Sequence, residues 1–225
     1  MRSGSLRTSE GQACTASASG CIYEAGPLRD VTGLTIRPGG LTLTDRALDS
    51  CSFSAGAQLL DVGCGSGATV EHLYSRYGFS ASGVDISPTL IAEGLGRNPA
   101  LALTEAPAEA LPFATGSRDG ILCECVLSLL EEPFRALAEF WRVLRSGGYL
   151  ILSDMYSRDT AARGRIEERL SECGFDTLLW EDHTPLLKEL AARLILAHGS
   201  LDGLCCATPD AGGKPGYYLL VARKV

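Results

Sequence analysis

A glycine-rich turn between an apolar strand and a helix constrains the fold of this chain more than any other stretch. Residues 59–73 read LLDVGCGSGATVEHL, in which three glycines, Gly63, Gly65 and Gly67, separate an apolar run from an amphipathic helical pattern. Glycines let the backbone turn sharply and let a ligand approach closely, while a helix N-terminus offers unpaired N–H groups and a partial positive charge. The stretch is therefore typical of a nucleotide-binding turn in an α/β protein.

Strand and helix patterns alternate regularly around this turn. Apolar runs predict strands at residues 58–62, 81–85, 101–104, 119–125, 149–154, 175–180 and 216–221. Amphipathic patterns predict helices at residues 67–77, 88–97, 132–144, 160–173 and 185–198. Because strands that alternate with helices form a parallel sheet covered on both faces, the fold class is α/β. The last strand is followed by no helix, which predicts an antiparallel insertion at the sheet edge.

The N-terminal residues differ from the rest of the chain in composition. Residues 1–40 are rich in Ser, Thr, Gly and Ala and show little apolar periodicity, which predicts a flexible or loosely packed arm. Residues 41–225 are then expected to form a single domain, with an insertion at about 185–214 between the last two strands. Thr44 is predicted to N-cap a short helix ending near Cys51, placed where it can cover the mouth of a site.

Composition narrows the class of protein. The formal net charge is −7, which argues against binding to a nucleic-acid backbone. No apolar run has the length of a membrane span and no secretory signal segment is present, so we expect a cytoplasmic protein without membrane or nucleic-acid partners. The nine cysteines are odd in number and lack zinc-type spacing, so they predict buried thiols and no metal site. The oligomeric state stays open.

An acidic residue at the end of the second strand supports the nucleotide-binding interpretation. Asp85 can accept both hydrogen bonds from a ribose diol bound over the glycine turn. The structural alternative is a helix cap, but Ser87, directly before a proline, is the better candidate for that role. The glycine pattern by itself also fits a dinucleotide, so an oxidoreductase remains an alternative at this point.

Four segments in a fixed order resemble a known family. DVGCGSG, GVDIS, AEALPFATGSRDGILCECVLSLL and RVLRSGGYLILSD resemble class I S-adenosylmethionine-dependent methyltransferases of the small-molecule, methyltransferase-11-like branch. The resemblance covers about residues 58–154 and the terminal strand. It implies a Rossmann-like class I methyltransferase fold, a three-layer αβα structure with a seven-stranded, mostly parallel sheet and an antiparallel last strand. It also implies S-adenosyl-L-methionine as the cofactor and a small-molecule methyl acceptor.

The resemblance further implies individual roles in cofactor binding. The acid at the end of the first strand and the three glycines would shape the pocket for the methionine part, and Asp85 would hold the ribose. Ile86 would pack on the adenine, whose edge the segment before Leu111 would border. The expected cofactor-binding residues are therefore Asp61, Gly63, Cys64, Gly65, Gly67, Asp85, Ile86, Ala108, Glu109 and Cys123.

The methyl acceptor is expected beyond the carboxyl ends of the fourth and fifth strands, where Glu124, Cys125 and Tyr156 are the candidate catalytic residues. The segment around Cys125 partly resembles the Asn-Cys-Val segment of arsenite methyltransferases, with Glu124 in place of the asparagine. Soft thiolates bind a soft metalloid well, and Cys205-Cys206 would be further ligands. A thiol or arsenic-type acceptor is therefore one alternative to an ordinary small molecule, and a non-catalytic cofactor-binding protein is another.

Overall fold

Seven strands form one sheet in a computed structural model, which describes residues 23–201 and 214–225. In spatial order the sheet runs β3-β2-β1-β4-β5-β7-β6. The strands are β1 Gln58–Val62, β2 Ser80–Asp85, β3 Leu103–Glu105, β4 Arg118–Glu124, β5 Leu144–Ser157, β6 Phe175–Asp182 and β7 Pro215–Lys224. Strand β7 pairs antiparallel with both β5 and β6, while the β1, β2, β3, β4 and β5 pairings are parallel. The predicted seven-stranded αβα fold with an antiparallel last strand is confirmed.

Helices cover both faces of this sheet. They are α1 Pro27–Thr32, α2 Gly40–Leu48, α3 Ala68–Tyr77, α4 Pro88–Arg97, α5 Pro133–Val143, α6 Ala162–Glu172 and α7 Thr184–His198, with a 3-10 turn at Leu127–Leu129. Across residues 23–201 and 214–225, none of the helices combines the length and the apolar character needed to cross a bilayer.

Successive side chains of the central strands point to opposite faces of the sheet, so each strand contributes to the core on both faces. Leu59 packs with the α2 side chains and with Leu122 of β4, while its neighbour Leu60 packs on the opposite face with the α5 side chains Leu137 and Phe140. All five of these side chains are at most 2% exposed, as expected where successive strand residues point to opposite faces of a fully covered sheet. The strand ends that build the site are therefore held on a rigid, doubly covered support.

The predicted N-cap at Thr44 is wrong. Helix α2 begins at Gly40, four residues earlier, and the residue before it, Gly39, has a φ of +77°. Thr44 lies inside the helix, is fully buried, and donates from its hydroxyl to Glu124. The sequence pattern located the helix but not its start, because the turn at Gly39 and Gly40 rather than a side-chain cap begins it.

Two strand boundaries and the N-terminal region also differ from expectation. Strand β5 begins at Leu144 rather than Tyr149, since Leu144 pairs with Arg118 before an irregularity in the ladder with β4. Strand β3 begins at Leu103 rather than Leu101. Within the region expected to be a loose arm, residues 27–32 form α1, whose Leu28 is buried against α7. Helix α7 occupies the first part of the 185–214 insertion, and residues 202–213, with Cys205-Cys206, lie outside the described residues.

Candidate functional site

The glycine turn after β1 combines one crowded position with one open position. The φ angles of Gly63 and Gly65 are +74° and +53°, in the region that glycine alone adopts without strain. A Cβ atom on Gly63 would lie 2.1 Å from Cγ2 of Val126, whereas a Cβ on Gly65 would meet nothing within 4 Å. Gly63 is thus required for packing against the end of β4, while Gly65 leaves backbone open to a ligand.

The carboxylate of Asp85 is tied to this turn. Its Oδ2 accepts a hydrogen bond from the backbone N–H of Gly65 at 2.8 Å, and its Oδ1 accepts from the N–H of Ser87 at 2.9 Å. Ser87 in turn caps α4 by accepting from the N–H of Leu90 at 3.1 Å, so the predicted cap is confirmed. Because a carboxylate has about four lone-pair sites, Asp85 retains acceptor capacity for a ligand hydroxyl.

A cavity lies in front of the turn, at the carboxyl ends of β1, β2 and β4. Six residues of the sequence-derived set line it together: Gly63, Cys64, Gly65, Asp85, Glu124 and Cys125. Sequence reasoning missed the residues from the N-terminal segment and the neighbouring loops that also line it, which are Tyr23, Leu34, Ile36, Arg37, Leu90, Val126 and Leu129. We call this the cofactor cavity.

The remaining predicted cofactor-binding residues are not among those that line this cavity. Asp61 is 4% exposed at the end of β1, and Gly67 forms the N-cap of α3. Cys123 is fully buried in the core, and Ile86 is 74% exposed beside the cavity. Ala108 is buried and Glu109 half-buried in the loop after β3. Their roles in binding remain predictions.

Tyr156, the third catalytic candidate, lies apart from the other two. It is half-buried in an aromatic cluster, with its ring centroid 5.6 Å from that of Trp180 and 6.0 Å from that of Tyr218. The described lining of the cofactor cavity does not include it. The geometry thus brings Glu124 and Cys125 together and leaves Tyr156 in packing contacts.

A buried ion pair joins the N-terminal segment to the end of β4. Nη2 of Arg37 lies 2.9 Å from Oε2 of Glu124, with side-chain exposures of 9% and 2%. The same Nη2 donates to the hydroxyls of Thr44 at 2.7 Å and Thr69 at 3.0 Å. Arg37 is only weakly indicated by the sequence, as a basic residue before a turn in an otherwise small and polar segment.

Charge and burial perturb the acids and thiols of the site. Burial, followed by the neighbouring Glu124 carboxylate, raises the pKa of Asp61 to about 7, against the opposing effect of Arg37. Burial opposes the charge of Arg37, yet the Glu124 and Asp61 carboxylates leave its pKa raised. Burial also raises the pKa of the Cys64 and Cys123 thiols, which therefore stay protonated at neutral pH.

Cys125 has an unusual backbone. Its φ of +58° is the one positive value among the non-glycine residues that the structure describes. Its Sγ lies 3.1 Å from the hydroxyl of Tyr217, which also contacts the Ser153 hydroxyl at 3.2 Å. Tyr217 is fully buried, and it connects β7, which lies between β5 and β6, to the end of β4. Strained backbone of this kind is concentrated at functional sites.

A larger cavity of about 490 Å³ lies on the other side of Arg37, between residues 32–46 and the first half of α7. Arg37 belongs to the walls of both cavities. His183, at the end of β6, lines the larger one, and its Nε2 lies 2.9 Å from a Glu181 oxygen. We call this second space the helix cavity.

Part of the chain matches a known protein family. Residues 60–152, which include the glycine turn, Asp85 and the end of β4, match the family model described as a methyltransferase domain. These residues belong to the class I S-adenosylmethionine-dependent methyltransferases. The predicted family and its cofactor, S-adenosylmethionine, are confirmed.

Sequence relatives of this methyltransferase domain have diverse acceptors. It is 31% identical over 132 residues to the demethylmenaquinone methyltransferase of Renibacterium salmoninarum, covering 58% of this chain and 55% of that one. It is 29% identical over 131 residues to the phosphatidylethanolamine N-methyltransferase of Cereibacter sphaeroides, covering 56% and 63%. The chain thus spans little more than half the length of these relatives.

Solved structures share the fold over most of the chain. Phosphoethanolamine N-methyltransferase 2 of Haemonchus contortus, in complex with S-adenosyl-L-methionine, has a TM-score of 0.72 at 18% identity, covering 90% of this chain and 56% of that one. The [4+2]-cyclase SpnF has a TM-score of 0.68 at 23% identity, covering 81% and 80%. At these identities the likeness concerns the fold.

Proposed function

We propose that the protein transfers a methyl group from S-adenosylmethionine to a small-molecule acceptor. One observation carries the proposal: the open backbone of Gly65, the Asp85 carboxylate bound to it and the end of β4 face a single cavity. A glycine turn, a diol-binding acid and an acidic strand end are the groups that this cofactor requires from a protein.

The residues of the site suit the chemical parts of the cofactor. The chemistry that the bound cofactor supplies is an electrophilic methyl group on a positively charged sulfur. Gly65 offers open backbone, Asp85 has spare acceptor capacity for the ribose hydroxyls, and Glu124, paired with Arg37, places a carboxylate at the cavity wall. The chain's own contribution is to orient both reactants and exclude water, because in-line methyl transfer depends mainly on alignment.

The N-terminal segment is suited to closing the site. Arg37 bonds to Glu124, Arg29 pairs with Glu93 of α4, and Glu24 accepts from the Ser87 hydroxyl at 2.6 Å. These contacts hold residues 24–37 against the carboxyl ends of β2 and β4, where Leu34, Ile36 and Arg37 line the cofactor cavity. We therefore assign the segment a part in cofactor binding as well as in packing.

Two alternatives have specific support. A non-catalytic cofactor-binding protein is compatible with the fold, because a fold does not determine the chemistry: the structural neighbour SpnF is described as a [4+2]-cyclase and not as a methyltransferase. A thiol or arsenic-type acceptor is favoured by Cys125, which lines the cofactor cavity. Against it, the Cys64 and Cys123 thiols are held protonated by burial, and the described residues contain no cluster of three potential metal ligands.

A transfer assay tests the proposal. The full chain is incubated with S-adenosylmethionine labelled in its methyl group and with pools of small alcohols, phenols, amines, thiols and arsenite. We expect labelled product from a pool of ordinary small molecules and retention of activity in Cys125→Ser. Product from the arsenite or thiol pool alone, lost in Cys125→Ser, would favour the soft-acceptor alternative. Tight cofactor binding without any product would favour the binding protein.

A further inference from the structure

The helix cavity has the size and position of a small-molecule site. Its volume of about 490 Å³ lies within the range of roughly 300–1,000 Å³ that ligand pockets occupy. It lies beside the cofactor cavity, and Arg37 forms the wall common to both. A molecule bound in the helix cavity could therefore contact Arg37, which also lines the cofactor cavity in front of the glycine turn.

The charged side chains that line the helix cavity are mostly basic. Arg37, Arg46 and Arg193 line it, with Glu189 as the acidic residue and His183 as a titratable neighbour. The helix cavity thus has an excess of basic over acidic side chains, although the net charge of the whole chain is −7.

The carboxylates that pair with two of these arginines lie outside the lining. Arg37 pairs with Glu124 and Arg46 pairs with Glu181, and neither acid is among the residues of this wall. The hydrogen bond from Arg193 goes to a neutral partner, the carbonyl oxygen of Val31. The three arginines therefore line the cavity, whereas the carboxylates that pair with Arg37 and Arg46 do not.

Arg37 also has an unused donor. Its side chain is 9% exposed, and its Nε is buried without a hydrogen-bond partner among the described residues. Leaving a buried N–H unpaired is unfavourable, so this donor is suited to an acceptor group of a bound molecule or a water. A guanidinium edge matches the geometry of a carboxylate or another planar oxyanion, which accepts two parallel hydrogen bonds.

We propose that the helix cavity is the methyl-acceptor site and that its acceptor is a small organic anion, with a carboxylate held by Arg37 and Arg193. This inference rests on the proposed methyl transfer and names its substrate class. The apolar part of the acceptor would lie against Leu43, Leu186 and Leu190, which complete the lining.

Matched acid and amide probes test the charge preference. Phenylacetate, 3-phenylpropionate and hexanoate, each with its primary amide, are titrated into the full chain and followed by ligand-observed NMR. We expect the acids to bind at least about tenfold more tightly than their amides, as the loss of a charge-assisted hydrogen bond predicts. Arg193→Gln and Arg37→Gln should abolish this preference. Arg135→Gln, which removes an equally charged but exposed side chain of α5, should leave it intact.

Binding of S-adenosylhomocysteine to the same samples distinguishes a failure of the acceptor-site inference from a failure of the proposed methyltransferase function. Arg193 lies outside the cofactor cavity, so Arg193→Gln should bind S-adenosylhomocysteine as the wild type does, and it keeps the test valid if Arg37→Gln does not fold. Equal binding of acids and amides, or a preference that survives Arg193→Gln, would overturn the inference alone.

The cofactor's own carboxylate is the competing partner for Arg37. If Arg37→Gln weakens S-adenosylhomocysteine but not 5′-methylthioadenosine, and acid binding is unchanged, the guanidinium serves the cofactor and the inference is overturned. Absence of S-adenosylhomocysteine binding to the wild type would overturn the proposed function, and the acceptor role with it, whichever acids bind.

Discussion

The guanidinium of Arg37 and the carboxylate of Glu124 form a buried ion pair at 2.9 Å that connects the N-terminal segment to the end of β4. The two residues are far apart in sequence, and Thr44 of α2 bonds to both of them. The covering segment and the strand end that border the cofactor cavity are therefore one electrostatic unit.

Removing both members of this pair should cost less than the sum of the costs of removing each one alone. Arg37→Met leaves the Glu124 carboxylate buried without its partner, which should lower the free energy of unfolding by about 3–5 kcal/mol. Arg37→Met combined with Glu124→Leu should cost less than the sum of the single changes, with a coupling of about 1–3 kcal/mol. Urea unfolding of the four proteins measures this, and additive effects would show that the pair makes no joint contribution.

The two glycines of the turn should respond differently to alanine. Gly63→Ala places a Cβ atom against Val126 and should destabilise the protein more than Gly65→Ala, whose Cβ would meet open space. Both residues have a positive φ, so alanine strains the backbone at both positions, and this strain does not distinguish the two variants. Gly56→Ala, with a φ of +73° and open surroundings, is the matched control.

Thermal unfolding and cofactor titration together measure these effects. We expect Gly65→Ala to resemble Gly56→Ala in stability but to bind S-adenosylhomocysteine more weakly, because its methyl group occupies ligand space. Equal stability of Gly63→Ala and Gly65→Ala would contradict the close contact with Val126.

The strained backbone of Cys125 should make glycine favourable there. With φ at +58°, Cys125→Gly should be more stable than Cys125→Ala by about 1 kcal/mol, since left-handed backbone costs L-residues about that amount. Cys123, two residues earlier in β4 and fully buried, is the matched control, where glycine should be worse than alanine. Chemical denaturation of the four variants decides this, and the same order at both positions would argue against strain at Cys125.

Asp61 should make stability depend on pH. Its pKa of about 7 in the folded protein exceeds that of the unfolded chain, so the folded state keeps this proton to higher pH. The contribution of Asp61 to the free energy of unfolding is therefore fully present below about pH 4, falls as the pH rises to about 7, and then stays constant. Asp61→Asn should remove this slope, so relative to wild type it is more stable at pH 8 than at pH 5.

Unfolding in urea across this pH range measures the difference, with Asp159→Asn, an exposed acid, as the control. Parallel pH profiles for wild type and Asp61→Asn would contradict the raised pKa.

Most of the fold, and the cofactor-binding part of the site, could be predicted from the sequence. Periodicity and glycine placement were sufficient for β1, α3 and α4, because these elements are specified by local patterns and by a side-chain cap at Ser87. Arg37 could not be placed, because its position depends on how the N-terminal segment packs across the sheet. The same holds for Tyr217, which reads as strand packing but contacts Cys125 from β7. The helix cavity arises only when α2 and α7 come together.

Calorimetry tests most directly the central claim that the glycine turn and Asp85 bind S-adenosylmethionine. S-adenosylhomocysteine is titrated into wild type and into Asp85→Ala, with NADH as a parallel ligand. Without the Asp85 carboxylate, the ribose hydroxyls lack their charge-assisted hydrogen bonds. The Asp85→Ala change should therefore weaken binding by about 1–3 kcal/mol. Asp159→Ala should bind as the wild type does. We predict tight binding of S-adenosylhomocysteine to wild type, weaker binding to Asp85→Ala and none of NADH. Binding of NADH in place of S-adenosylhomocysteine, or an affinity unchanged by Asp85→Ala, would contradict this account of the site.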